Sequence, residues 1–200
     1  MSLPHAVERM TLDAFIDWEH HQAERHVFFQ GEVFAMTGAR QAHVQVSLNV
    51  ASGLKQHLRG SPCRTFISDM KLRIDAQDTV FYPDVMVSCD ARDRTLTHHI
   101  ESPLLVLEVL SASTERFDRG HKFQVCRTLP SLREYVLVDI PLRRTEVYRR
   151  NPQGVWELHE FAGDQAVVLA SVELQLPAAL LYEDVDEGPQ AGEEAGVAPA

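Results

Sequence analysis

Apolar residues recur at steps of three and four in two stretches, which predicts two amphipathic helices. The first follows Thr11, a residue suited to cap a helix, and places Leu12, Phe15 and Ile16 on one face. The second runs through "QAHVQVSLNVASGLKQHLRG" and ends at Gly60. A third stretch, "STERFDRGHKFQVCRTL", is predicted to be a helix that ends before Pro130.

Short runs rich in Val, Ile, Phe and Tyr predict the strands between these helices. A strand or hairpin interrupted at Gly31 comes first. Two runs separated by "DAQD" are predicted to form a hairpin. The remaining predicted strands are "LLVLEVL", "EYVLVDI", "RTEVYRR" and "VWELHEF". The order is helix, strand, helix, three strands, helix and then more strands. It predicts an α/β or α+β core in which helices flank a mixed sheet, with a crossover unit around residues 104 to 128.

Two acids interrupt strand-like apolar runs. Glu108 is the one charged residue in "LLVLEVL", a run typical of a strand buried on both faces, and Asp84 stands between Pro83 and "VMV". Burying an unpaired carboxylate costs several kcal/mol. A shared hard cation such as Mg²⁺ would resolve that cost. The alternatives are that Glu108 is protonated or paired with a buried Arg, and that Asp84 points outward at a strand end.

Asp118 and Lys122 are four residues apart on the third predicted helix. They could form a solvated ion pair worth a few tenths of a kcal/mol. Because this helix follows the Glu108 strand directly, its Lys could instead reach back toward the carboxylates.

The composition is that of one ordinary domain of 200 residues, 44% hydrophobic, without an apolar run near 18 residues or a signal peptide. We therefore expect a cytoplasmic protein with no membrane segment. Three widely spaced cysteines, Cys63, Cys89 and Cys126, predict reduced thiols rather than a disulfide framework or a zinc site.

The net charge of −10 is concentrated at the C-terminus. Residues 183–200 hold six of the 29 acids and no Lys or Arg, so residues 1–182 carry 23 acids against 19 bases, or −4. We predict one domain over residues 1–182 and a disordered acidic tail over 183–200.

The segments "YPDVMVSCD", "LLVLEVLSASTERFDRGHKF" and "LPSLREYVLVD" together resemble the restriction-endonuclease-like bacterial family of the "Uma two" type, a branch of the PD-(D/E)XK nucleases. The likeness runs from about residue 12 to 185. It implies a restriction-endonuclease-like core and a metal-dependent endonuclease that hydrolyses DNA phosphodiesters with Mg²⁺, for which Mn²⁺ could substitute. A homodimer is compatible with this activity, since two cuts on a duplex need two sites.

The resemblance also implies roles for individual residues. Asp84 and Glu108 would hold the metal, with the carbonyl of Val109 completing the coordination. The superfamily pattern places a Lys two residues after the second acid, where this chain has Leu110. Lys122 on the following helix is therefore the candidate catalytic Lys.

Four further residues are candidates for supporting roles, each with a structural alternative. Glu32 could be an extra acid near the metal or an exposed strand charge. His43 could contact phosphate, orient a ligand or lie on a helix surface. Asp69, with Lys71, could line the cleft or face solvent in a hairpin, and Asp118 would buttress Lys122 or Arg119.

Two other classes of function stay open at this level. The chain could be a nuclease fold without activity that binds nucleic acid or protein, or an interaction protein whose buried acids are purely structural. "PLRRTEVYRR" is the nearest approach to a basic DNA-binding stripe, and a solvated hairpin explains it equally well.

Overall fold

The computed structural model describes residues 10–36 and 38–186. Its helical segments are α1 (Leu12–Glu19), α2 (Gln41–His57), α3 (Glu115–Phe117), a π-helical turn (Asp118–Lys122), α4 (Phe123–Cys126) and α5 (Ala178–Leu181). Its strands are β1 (His26–Phe29), β2 (Glu32–Ala35), β3 (Arg64–Ile67), β4 (Lys71–Ile74), β5 (Thr79–Phe81), β6 (Val85–Ser88), β7 (His99–Ile100), β8 (Pro103–Val109), β9 (Glu134–Asp139), β10 (Arg144–Arg150), β11 (Trp156–Ala162), β12 (Val167–Leu169) and β13 (Leu174–Leu176).

The central sheet is mixed, as the sequence predicted. Its six strands lie in the order β11-β10-β9-β8-β6-β3, and β8 and β9 are parallel while the other neighbours are antiparallel. The helical segments from α3 to α4 connect the parallel pair, which is the predicted crossover. Together with the flanking helices, this arrangement confirms the α+β fold class.

There is also a second sheet, of order β2-β1-β5-β4-β7. Two of the predicted strands are each split between this sheet and the central one. The run "CRTFISDMKLRI" contributes β3 to the central sheet and β4 to the second, and "VFYPDVMVSC" contributes β5 to the second and β6 to the central sheet. Pro83 interrupts the latter run because it has no N–H to donate to a ladder. Asp84 is thereby placed where the chain passes from one sheet to the other.

Strand β8 is buried on both faces, as predicted from its run of apolar residues. Leu105, Leu107 and Val109 belong to a cluster that also contains Val50 and Leu54 of α2. Val106 belongs to the cluster on the opposite face, which is built around residues such as Phe123, Leu132 and Tyr135. Glu108 alternates with its neighbours and therefore lies on this second face.

The expectation of three reduced thiols was wrong, because Cys63 and Cys89 form a disulfide. The antiparallel register of β3 and β6 pairs Arg64 with Ser88, so the next residues outward face each other with their Cα atoms 3.9 Å apart. The two cysteines are 26 residues apart in the chain, so the sequence pattern did not indicate that they are close in space. Cys126 is a buried free thiol, as predicted for a small core residue.

The predicted boundary after residue 182 falls just past α5. Val185 still packs against the larger core cluster, so ordered chain continues a few residues beyond that boundary. Residues 1–9 and 187–200 lie outside the described residues, and the disorder of the acidic tail stays a prediction. Across residues 10–36 and 38–186, no helix is both long and apolar enough to cross a membrane.

Candidate active site

Asp84 and Glu108 lie side by side at one end of the central sheet. The register of β6 and β8 pairs Val85 with Leu107, so the residues one step further along, Asp84 and Glu108, stand opposite each other on the same face. The amide of Val109 donates a hydrogen bond of 2.8 Å to Asp84 Oδ2. The alternative in which Asp84 points outward at a strand end is therefore excluded.

Lys122 reaches this pair from the helix that follows β8. Its Nζ lies 2.7 Å from Glu108 Oε1 and 3.8 Å from Asp118 Oδ1, and only 7% of the residue is exposed. The five residues from Asp118 to Lys122 form the π-helical turn. The sequence pattern did not predict this turn, although such turns are often found at functional sites.

The turn is fixed by contacts on both sides. Tyr135 of β9 donates its hydroxyl to the carbonyl of Asp118 at 2.9 Å, and the Lys122 ammonium lies 5.6 Å from the centre of the Phe81 ring. Arg119 is held by Glu115 and Glu146. The Lys122 amine is thus positioned by the fold and is not a freely moving surface group.

His43 approaches the same carboxylate from the first turn of α2. Its Nε2 lies 3.0 Å from Asp84 Oδ2 and 3.1 Å from the carbonyl oxygen of Val109. Because both neighbours are acceptors, Nε2 carries the proton in this arrangement. Within the described part of the chain, the other ring nitrogen, Nδ1, is buried without a hydrogen-bond partner.

The electrostatics of the cluster are unbalanced, since three carboxylates surround one ammonium. Burial raises the pKa of Asp84, although Lys122 and His43 oppose that rise, and burial raises the pKa of Glu108 well above its ordinary value. Burial alone would lower the pKa of Lys122, but Glu108, Asp118 and Asp84 outweigh it and raise this pKa. A further cation would relieve the remaining negative charge.

The donor set fits a divalent cation that keeps several waters. Asp84 Oδ2, the Val109 carbonyl and the His43 ring nitrogen converge, with Glu108 adjacent, and Mg²⁺ is commonly held by one or two carboxylates and water. In residues 10–36 and 38–186 no three His, Cys, Asp or Glu side chains meet as a complete metal site. Glu108 is also paired with Lys122, so the ammonium and the cation would share this carboxylate, and backbone and water would complete the ligand set.

Two of the predicted supporting residues lie elsewhere. Glu32 is exposed at the start of β2, where it pairs with Phe29 across the β1–β2 turn. Asp69 is 82% exposed and forms an ion pair with Arg25. Glu32 is thus an exposed strand charge, and Asp69 faces solvent in the turn between β3 and β4, which belong to different sheets. Lys71 is instead buried, with its ammonium 5.5 Å from the centre of the Tyr82 ring.

Two of the four arginines in "PLRRTEVYRR" are neutralised by ion pairs to buried glutamates. Arg149 pairs with Glu134 at 2.7 Å, and Arg144 lies 3.4 Å from Glu146. These two arginines are therefore engaged within the fold.

Comparison with known proteins places this chain in a family. Two uncharacterized proteins of Synechocystis sp., slr1290 and sll1609, are 34% identical over 174 residues and 33% identical over 161 residues. The alignments cover 87% and 80% of this chain and 92% and 91% of the relatives.

A crystal structure of "a putative nuclease belonging to DUF820" from Anabaena variabilis has the same fold, with a TM-score of 0.71 at 18% identity. The match covers 86% of this chain and 97% of that one. The family model described as "Uma2: Putative restriction endonuclease" matches residues 12–179. This match confirms the resemblance seen in the sequence, and the chain belongs to the Uma2 family.

Proposed function

We propose that this protein is a metal-dependent endonuclease that hydrolyses phosphodiester bonds in DNA. The observation that carries the proposal is the position of His43 Nε2, 3.0 Å from Asp84 Oδ2 and 3.1 Å from the Val109 carbonyl oxygen, beside the Glu108–Lys122 pair at 2.7 Å. Membership in a family described as a restriction endonuclease supports the same reaction class.

Asp84 and the Val109 carbonyl would hold the cation, with Glu108 as the second carboxylate. When bound, Mg²⁺ or Mn²⁺ supplies charge neutralisation at the phosphate and lowers the pKa of water. In the neutral tautomer that carries its proton on Nδ1, His43 would direct the Nε2 lone pair toward the position where the Nε2 proton now lies. These residues therefore assemble a mixed oxygen and nitrogen site.

Lys122 would act as an ammonium. Its raised pKa keeps it protonated at neutral pH, so it is suited to oppose negative charge that develops on the phosphate and not to serve as a base. Asp118 Oδ1 lies 3.8 Å from the amine, and the centre of the Phe81 ring lies 5.6 Å from it. The Lys thus performs from a helix the electrostatic role that the superfamily pattern assigns to a strand position.

A nicking assay on supercoiled plasmid tests the proposal. The native protein is expected to nick DNA in Mg²⁺ or Mn²⁺ and to stop in EDTA. Asp84→Asn and Lys122→Met should each lose roughly 100-fold or more of the rate, because the first weakens the hold on the metal and the second removes the ammonium that opposes negative charge at the phosphate. Lys55→Met, an exposed Lys of α2, is the matched control and should cut as the native protein does.

The outcomes separate the remaining functions. Equal nicking by native protein and Asp84→Asn, with both folded by circular dichroism, would contradict the proposed site. Salt-sensitive DNA binding without nicking in either metal would favour a binding module that has kept the nuclease fold. Absence of both would favour the interaction protein with structural acids.

A further inference from the structure

An apolar cavity of about 510 Å³ opens beside the candidate active site. The β1–β2 hairpin forms one wall, and the segment from the end of β8 into the π-helical turn forms the other. Its lining includes Phe29, Phe34, Ser113, Thr114, Phe117 and His121. This volume lies within the usual range for small-ligand sites. We call it the aromatic cavity.

Aromatic rings form most of the walls. The rings of Phe29 and His121 meet edge to face at 4.4 Å, and Phe117 lies 5.6 Å from His121. His121 Nε2 is buried away from the open space of the cavity, so a bound molecule would contact the rest of this ring. The cavity therefore suits a molecule with apolar faces.

The aromatic cavity is next to the groups proposed for the reaction. His121 is followed directly by Lys122, and the Phe117 ring lies 5.8 Å from the ring of Phe81. The same Phe81 ring lies 5.6 Å from Lys122 Nζ. One aromatic side chain thus separates the cavity wall from the ammonium that would face the phosphate.

We infer that the aromatic cavity binds an unpaired nucleobase adjacent to the phosphodiester that is cut. The inference rests on the proposed function and narrows its substrate to DNA with an unstacked nucleotide at the cut, as in single strands, gaps or mismatches. Proteins that hold unpaired bases stack them on aromatic side chains and hydrogen-bond their edges. The aromatic cavity offers rings for stacking and the hydroxyls of Ser113 and Thr114 for hydrogen bonds.

A nucleobase explains the lining better than an apolar side chain of a protein partner. An apolar side chain would offer no polar group to the hydroxyls of Ser113 and Thr114 in the lining, whereas every base presents ring nitrogens or exocyclic groups at its edge. Phe34 and Phe117 expose 49% and 37% of their surface. Exposed rings of this kind are accessible to a base without rearrangement of the core.

Quenching of 2-aminopurine measures base capture without cleavage. The full chain in EDTA is titrated into a short single-stranded oligonucleotide that carries one 2-aminopurine, and into the fully paired duplex of the same sequence. Native protein is expected to quench the single strand and to bind the duplex more weakly. Phe34→Ala and Phe117→Ala should each weaken single-strand binding roughly 10-fold, because each removes a stacking surface.

Two further variants define the contacts. Thr114→Val keeps the shape of the wall but removes a hydroxyl, and should weaken binding roughly 2- to 10-fold. Leu158→Ala on β11, where the native side chain is 53% exposed, is matched to Phe34 in exposure and strand location and should bind as the native protein does. Phe117→Leu replaces Phe117→Ala if the latter does not fold by circular dichroism.

Failure of this inference is distinguishable from failure of the proposed function. Equal binding of single strand and duplex, or native-like binding by both Phe variants, would overturn the base site even if the plasmid is nicked. Quenching that is preserved in Asp84→Asn and lost in Phe34→Ala would support the base site even if no nicking occurs. A native dimer that Phe34→Ala dissociates in sedimentation would show that a second copy covers the cavity, and would overturn the inference.

Discussion

Two buried glutamates on neighbouring parallel strands, Glu108 of β8 and Glu134 of β9, have opposite surroundings. Glu134 is fully buried and receives Arg149 at 2.7 Å, the amides of Ala170 and Ser171 at 3.0 and 2.9 Å, and the Ser171 hydroxyl at 2.6 Å. Its charge is paired with a guanidinium, and both of its oxygens accept hydrogen bonds. Such a carboxylate stabilises the fold and requires no ligand.

Glu108 is 3% exposed and shares one ammonium with two other acids. Lys122 lies 2.7 Å away, but Asp84 and Asp118 compete for the same positive charge. The difference teaches that burial of an acid does not by itself indicate function. An excess of negative charge that the fold leaves uncompensated does indicate function, because it creates an affinity for a cation.

The largest contrast is expected in stability when each glutamate is replaced. Glu134→Ala should lower the free energy of unfolding by about 4 kcal/mol, because it leaves Arg149 and two amides without their partner. Glu108→Gln should change it by less than about 1 kcal/mol in metal-free buffer, because it also removes one repelling charge. Urea denaturation followed by circular dichroism measures both, and an equal loss in the two variants would erase the distinction.

The pH dependence of stability sharpens the comparison at the Glu108 site. Because the pKa values of Asp84 and Glu108 are raised in the folded chain, the native state binds more protons than the unfolded state above about pH 4. The free energy of unfolding in EDTA should therefore fall as pH rises through the raised values, by up to about 1.4 kcal/mol per pH unit for each extra proton.

Asp84→Asn removes one of the two carboxyl groups that bind these extra protons. It should therefore reduce the dependence of the unfolding free energy on pH, while Lys55→Met should leave that dependence unchanged. Urea denaturation at a series of pH values provides the measurement. A slope in Asp84→Asn as steep as in the native protein would show that Asp84 does not take part in the imbalance.

The smallest expected effect concerns His43 and the kind of metal. Imidazole nitrogen favours transition metals over Mg²⁺, so His43→Gln should weaken Mn²⁺ binding about tenfold and Mg²⁺ binding less. Electron spin-echo modulation from nitrogen on bound Mn²⁺ should be present in the native protein and absent in the variant. Nitrogen modulation that persists in His43→Gln would remove His43 from the coordination sphere.

Several parts of the site could be predicted because they depend on local pattern. An acid inside the apolar run of β8 had to be buried, and the PD acid, Asp84, had to stand near a strand. Asp118 and Lys122 are four residues apart, so their proximity could be predicted once the segment was taken to be helical. The proximity of His43 to Asp84 could not be predicted, since 41 residues and a helix separate them in the chain.

The sequence by itself determined the mixed sheet, the helices α1 and α2 and which acids lie in apolar strands, because hydrophobic periodicity is a property of neighbouring residues. Only the tertiary structure decided which charges converge. It joined Cys63 to Cys89, left Glu32 and Asp69 in solvent, and set His43, Glu108 and Lys122 around Asp84. These outcomes depend on strand register and on the passage of the chain between two sheets, which no local pattern encodes.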